Sequence, residues 1–119
     1  MAYERLRAWT LAHQLVLGVY RATRGWPSEE RYGLTSQVRR AAVSVAAALA
    51  EGAAKRGAGD YRRFVDIALG SVSEVAYLLR LAHELDLLDS SAYAALDDLR
   101  KRTGGLIWRL ARALDQSRP

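Results

Sequence analysis

The chain has 119 residues, half of them apolar, a net charge of +5, two prolines and no cysteine. That length fits one domain over residues 1–119 with a modest core, and the apolar share excludes a disordered chain. Disulfides, cysteine-based zinc sites and thiol chemistry are excluded outright.

The N-terminal Met-Ala-Tyr-Glu-Arg-Leu-Arg lacks an apolar signal core. No segment approaches the roughly 18 apolar residues of a membrane span, so a cytoplasmic protein without a membrane partner is expected. Almost no period-two alternation is present, which points to an all-α fold. Helix 1 is expected over about 3–24, with Leu6, Trp9, Ala12, Leu15, Val16, Val19 and Tyr20 on its apolar face. Gly25-Trp26-Pro27-Ser28 closes it, and Glu29 to Tyr32 should form one short turn. Helix 2 spans about 35–55, with Thr35 or Ser36 as its cap. Helix 3 spans about 60–87. Its apolarity is broad, with Phe64, Ala68, Val72, Val75, Leu79 and Ala82 towards one side and Val65, Leu69, Ala76 and Leu78 towards another. Such breadth suggests a subunit interface or a fully enclosed helix. Asp89-Ser90-Ser91 starts helix 4, about 91–114, whose inner stripe runs from Tyr93 to Leu114. Gly104-Gly105 inside it marks a kink or a tight helix contact. Gln116 to Pro119 should fray. Short loops between four such helices predict an antiparallel up-down-up-down four-helix bundle.

The stretch from Leu34 to Gly52 carries two stripes. Leu34, Val38, Ala41, Ala42, Val45 and Leu49 form an apolar one; Arg40, Ser44, Ala47 and Glu51 share another face. Buried polar groups need partners. Folding helix 3 back about a turn near Gly57 makes facing residue numbers sum to roughly 114. Arg40 then faces Glu74, Ser44 faces Gly70, and Glu51 faces Arg63. Two charge pairs would bracket a close Ser-on-Gly crossing.

Several motifs match a known pattern: Trp9-x-x-Ala12; Pro27-x-x-Glu30-x-Tyr32-Gly33-Leu34-x-x-Gln37-x-Arg39-Arg40-Ala41-x-x-Ser44; Ala50-Glu51-Gly52; and Phe64-x-x-Ile67-Ala68-x-Gly70-Ser71-x-x-Glu74. In these the chain resembles the bacterial four-helix-bundle family of the 23S rRNA intervening-sequence protein, over nearly its whole length. It departs from the family at Ala46 and Ala48, where a Pro and an Asn are usual. The resemblance implies a four-helix bundle that assembles as a ring-shaped homopentamer, without catalytic activity. It also implies kinship with the accessory variability-determinant protein of diversity-generating retroelements, a basic pentamer that associates with a reverse transcriptase and nucleic acid.

Arg39, Lys55, Arg56, Arg62, Arg100, Lys101 and Arg102 are the candidate nucleic-acid contacts. A ring would repeat the helix 2–3 turn, with Lys55, Arg56 and Arg62, around one rim and build a field for a polyanion. Tyr61 beside them is a candidate base-stacking ring. Arg40 and Arg63 are assigned instead to the internal pairs, with Ser44, Glu51, Gly70 and Glu74 completing that polar network.

Enzyme chemistry finds little support. Glu51 and Glu74 fall 11 positions apart in projection, on the order of 16 Å, too far for one reaction centre. The Glu-x-x-His signature of di-iron bundles is absent, and neither His13 nor His83 has metal-ligand company. Arg7 to His13 loosely fits an Arg-to-His pattern of helical RNases, but Ala8 stands where that family has a polar residue. The sequence therefore predicts a non-enzymatic basic bundle without metal or cofactor. Its partners would be nucleic acid and other copies of itself, and a reverse transcriptase is a candidate partner. The competing class is a structural or protein–protein interaction module.

Overall fold

The computed structural model describes the backbone of residues 2–116 and the side chains of residues 5–116. It is all-α, with α1 (Ala2–Thr23), a 3-10 turn (Ser28–Glu30), α2 (Leu34–Ala53), α3 (Ala58–Glu84) and α4 (Ser90–Gln116), and no strand among the described residues. The expected fraying concerns 117–119, which lie outside the described residues; Gln116 is still helical.

Each helix has two neighbours: α1 and α3 both lie between α2 and α4. Along α2 and α3, Gly52 meets Tyr61 and Phe64 while Ser44 meets Ser71, so residue number rises on one helix as it falls on the other. Along α3 and α4, Val72 meets Gly104 and His83 meets Tyr93. Leu15, Val19, Val38, Val45, Val65, Val75, Leu79, Ile107 and Leu110 fill the centre and are fully buried. The resulting body measures 49 × 25 × 18 Å.

Helix 1 is rotated from its expected setting. Ala8, Ala12, Leu15 and Val19 are buried, whereas Leu6, Trp9 and Tyr20 are exposed. The small residues lie innermost because α1 comes close to its neighbours; a Cβ on Gly18 would stand 2.9 Å from Leu96 Cδ2. Thr35 and Ser36 do not cap α2. Gly33 is the cap residue without a side-chain bond, and the Leu34 N–H donates to Glu30 Oε1 at 3.3 Å. Thr35 is instead buried inside the first turn.

The end of α3 explains its early stop. Asp86 adopts φ 64°, the left-handed region. The Leu87 N–H then donates to the Ala82 carbonyl at 2.9 Å and the Asp86 N–H to the His83 carbonyl at 3.1 Å. This is the paired bonding of a helix end that normally favours glycine. Next, Asp89 Oδ1 accepts from the Ala92 N–H at 2.7 Å and caps α4. His83 stacks on Tyr93 with centroids 4.5 Å apart, and its Nδ1 lies 3.1 Å from the Leu88 carbonyl oxygen, fastening the turn.

Two glycines of the central pair behave oppositely. A Cβ on Gly52 would lie 2.8 Å from Tyr61 Cδ1 and 2.9 Å from Phe64 Cβ, whereas one on Gly70 would meet nothing within 4 Å. Gly52→Ala should therefore destabilise the fold by about 1–3 kcal/mol through overpacking. Gly70→Ala should stabilise it by about 0.5–1 kcal/mol through helix propensity. Urea denaturation of the two variants measures both signs. Asp86→Gly should likewise raise stability, by about 1 kcal/mol, read as a higher thermal midpoint.

Candidate nucleic-acid interface

The seven candidate cations do not form one patch. Lys55, Arg56 and Arg62 sit at the α2–α3 turn end, beside the start of α1 and the end of α4, as the Arg5–Tyr61 and Arg62–Asp115 contacts require. Arg100, Lys101 and Arg102 lie midway along α4, next to the Gly104–Val72 crossing. Arg39 sits towards the opposite end of α2, 16 positions before Lys55, or about 24 Å along the axis.

Most of these charges are engaged within the chain. Arg62 pairs with Asp66 and, at 3.0 Å, with Asp115 Oδ1. Burial works against its charge, but hydrogen bonds to Asp115 and Asp66 outweigh it and hold the guanidinium above its ordinary range. Arg100 and Lys101 share Asp97 at 2.5 and 3.6 Å, and Arg102 takes Asp98 at 3.0 Å. Arg39 donates from Nε to Thr23 Oγ1 at 2.8 Å and lies 4.6 Å over the Tyr20 ring. Lys55 and Arg56 are exposed. The Lys55 Nζ stands 5.1 Å over the Phe64 ring, and no carboxylate pairs with either residue among the described residues.

The polar stripe of α2 lies at an outer seam rather than between the helices. The buried contact runs along Val38, Ala41, Val45, Ala48 and Leu49 against Val65, Ala68, Val72, Val75 and Leu79. Arg40, Ala47 and Glu51 are exposed, as are Arg63, Ile67, Gly70 and Glu74. Ser44 pairs with Ser71 at 2.8 Å, one position on from the expected Gly70. Arg40 and Glu74 line one cavity of about 170 Å3 with Gln37, Ala41 and Ser44, yet no ion pair joins them among the described residues. Arg63 turns onto the Phe64 ring, 4.9 Å from its centroid, instead of reaching Glu51. In water an exposed ion pair gains little over a half-buried ring. No group of three His, Cys, Asp or Glu side chains with metal-holding geometry occurs among the described residues, and His13 stacks on Trp9 at 5.0 Å.

A further cleft opens beside this seam. Tyr20, Arg31, Tyr32, Thr35, Ser36, Arg39, Arg40 and Val43 line a cleft of about 460 Å3 between α1 and the start of α2. Its sequence signal is the recurrence of arginine next to tyrosine, at Tyr20-Arg21 and Arg31-Tyr32, on either side of the 3-10 turn.

A family model described as the 23S rRNA-intervening sequence protein matches residues 4–109. The chain belongs to that family. Its fold is also that of a crystal structure of a protein of unknown function from the S23 ribosomal protein family of Bacteroides thetaiotaomicron VPI-5482. The two superpose with a TM-score of 0.85 at 14% identity, over 92% of this chain and 98% of that one. No curated protein matches the chain. No helix among the described residues is long and apolar enough to cross a membrane.

In this intervening-sequence family member Tyr61 is no stacking platform. Its ring is 5% exposed and packs on Gly52. Burial raises the phenol pKa above 10.0, with Arg5 opposing. Above that pH the folded state keeps a proton that the unfolded chain has released, so stability declines as pH climbs past 10. Tyr61→Phe removes this proton linkage. Urea melts at about pH 9 and about pH 11 should show wild type losing more stability over that interval than Tyr61→Phe.

Proposed function

We propose that this member of the 23S rRNA-intervening sequence family is a non-enzymatic, basic, antiparallel up-down-up-down bundle that binds the backbone of RNA or DNA. It acts in the cytoplasm as a ring-shaped homopentamer. The observation that carries the reading is the α2–α3 turn, where Lys55 and Arg56 are exposed without an acidic partner among the described residues, while Arg62, Arg100, Lys101 and Arg102 are tied to carboxylates. Repetition of that turn around a ring multiplies a small charge into a field suited to a polyanion. Support for subunit contact comes from α3, whose outer face leaves Ile67 and Tyr77 exposed beside Gly70. Contacts to phosphate alone recognise backbone and shape, with little base preference. An accessory role beside a reverse transcriptase, or in another RNA-associated process, fits such a module.

A second reading, a protein-interaction module, is favoured by one feature. Leu6, Leu11 and Leu106, flanked by Arg7, Arg102 and Arg109, line an open groove of about 430 Å3 between α1 and α4.

Salt titration separates the two. The purified protein should bind RNA or DNA at low salt, with affinity falling log-linearly as salt rises. Lys55→Ala/Arg56→Ala should weaken binding and flatten that slope, measured by fluorescence anisotropy. Absence of binding at low salt would leave the interaction module as the better account. Light scattering on the same sample reads the oligomer.

A further inference from the structure

We infer that the cleft between α1 and the start of α2 is a stacking site for an unpaired nucleotide of single-stranded nucleic acid. This inference rests on the nucleic-acid reading above but names a different surface, at the other end of α2 from the Lys55–Arg56 turn.

Three observations converge on it. Tyr32 presents its ring to solvent at 89% exposure, with the Arg31 guanidinium 5.7 Å from the ring centroid. A large exposed ring at the rim of a cleft has little to gain from the chain itself. Tyr20 and Arg39 form a second, preformed stack, ring to guanidinium at 4.6 Å, held in place because Arg39 Nε also donates to Thr23 Oγ1 at 2.8 Å. The outer face of a fixed guanidinium plane is itself a surface on which bases stack. Arg31 and Arg40 flank the space, and neither has a carboxylate partner among the described residues. The cleft thus combines aromatic and guanidinium planes with unneutralised charge, the pairing that single-strand binders use for base and phosphate together. Its volume of about 460 Å3 suits one nucleotide.

The wall supplies polar groups as well. Thr35 is 8% exposed, and its Oγ1 is buried without a hydrogen-bond partner. The indole N–H of Trp26 is in the same condition, and both residues line an adjoining cavity of about 200 Å3 with Arg24, Arg31 and Arg39. Orphaned donors beside a cationic cleft are groups that a polar ligand would satisfy.

An acidic peptide would exploit the charge but has no use for the paired stacking planes. Duplex nucleic acid offers phosphates, but its bases are stacked on one another and cannot reach Tyr32. The site therefore selects single strands.

Anisotropy with a labelled oligo(A) RNA of about twelve nucleotides, and with a duplex of equal length, tests this. Wild type should prefer the single strand at equal salt. Tyr32→Ala should weaken single-strand binding by about 10-fold and leave duplex binding unchanged, while Tyr32→Phe retains wild-type affinity. Tyr32 makes no core contact, so circular dichroism should show all variants equally folded. If Tyr32→Ala binds the single strand like wild type while Lys55→Ala/Arg56→Ala loses binding, the stacking site is overturned and the backbone-binding reading stands. If no nucleic acid binds at any salt, both fall. Competition by polyglutamate as strong as that by unlabelled oligo(A) would also overturn the inference, because charge alone would then account for binding.

Discussion

The fit of α3 against α2 sets the geometry of the rest. Gly52 admits the Tyr61 ring and the Phe64 Cβ at distances no other side chain would permit, and Ser44 bonds Ser71 further along the same seam. Between these points only small and branched apolar residues meet. Because α1 packs on α2, α4 packs on α3, and the two pack on each other, the depth of that seam fixes where they can lie. Burial of the apolar faces drives the assembly, while the glycine decides how near the two axes come at the turn.

The helix count and the approximate central register were legible because they follow from periodicity and breakers, which act locally; the end of α3 was not, because it stops at Glu84 ahead of the left-handed Asp86 rather than near 87. Gly57 marks the α2–α3 turn, and the observed Gly52–Tyr61 and Ser44–Ser71 contacts lie within a residue or two of the expected sum. The rotation of the helices was less legible. On α1, large Leu6 and Trp9 and small Ala8 and Ala12 both satisfy a helical spacing, and only packing in three dimensions puts the alanines inside. On α2 the polar stripe suggests an internal network, because arginine and glutamate on an alanine-rich helix invite pairing. It sits about one step around the helix from the buried face, where Arg40 and Glu74 are exposed.

Charge was the least legible property. A sequence shows that Arg100, Lys101 and Arg102 are adjacent, but Asp97 and Asp98 one turn before them absorb that charge at the i, i+3 and i, i+4 spacings of the same helix. Arg62 is absorbed by Asp115, 53 positions away in sequence, which no local rule could find. Conversely Arg31 and Tyr32 fall in what reads as a connector, and their value emerges only once α1 brings Tyr20 alongside.

The neutralised middle of α4 separates two basic regions, one around Lys55 and Arg56 and one around Arg31, Arg39 and Arg40. They are about 24 Å apart along α2. The Debye length is about 8 Å at physiological ionic strength and about 30 Å at 0.01 M. In dilute buffer the protein therefore presents itself to its surroundings as a single basic rod. Under cellular conditions it acts as two independent poles with an insulating waist.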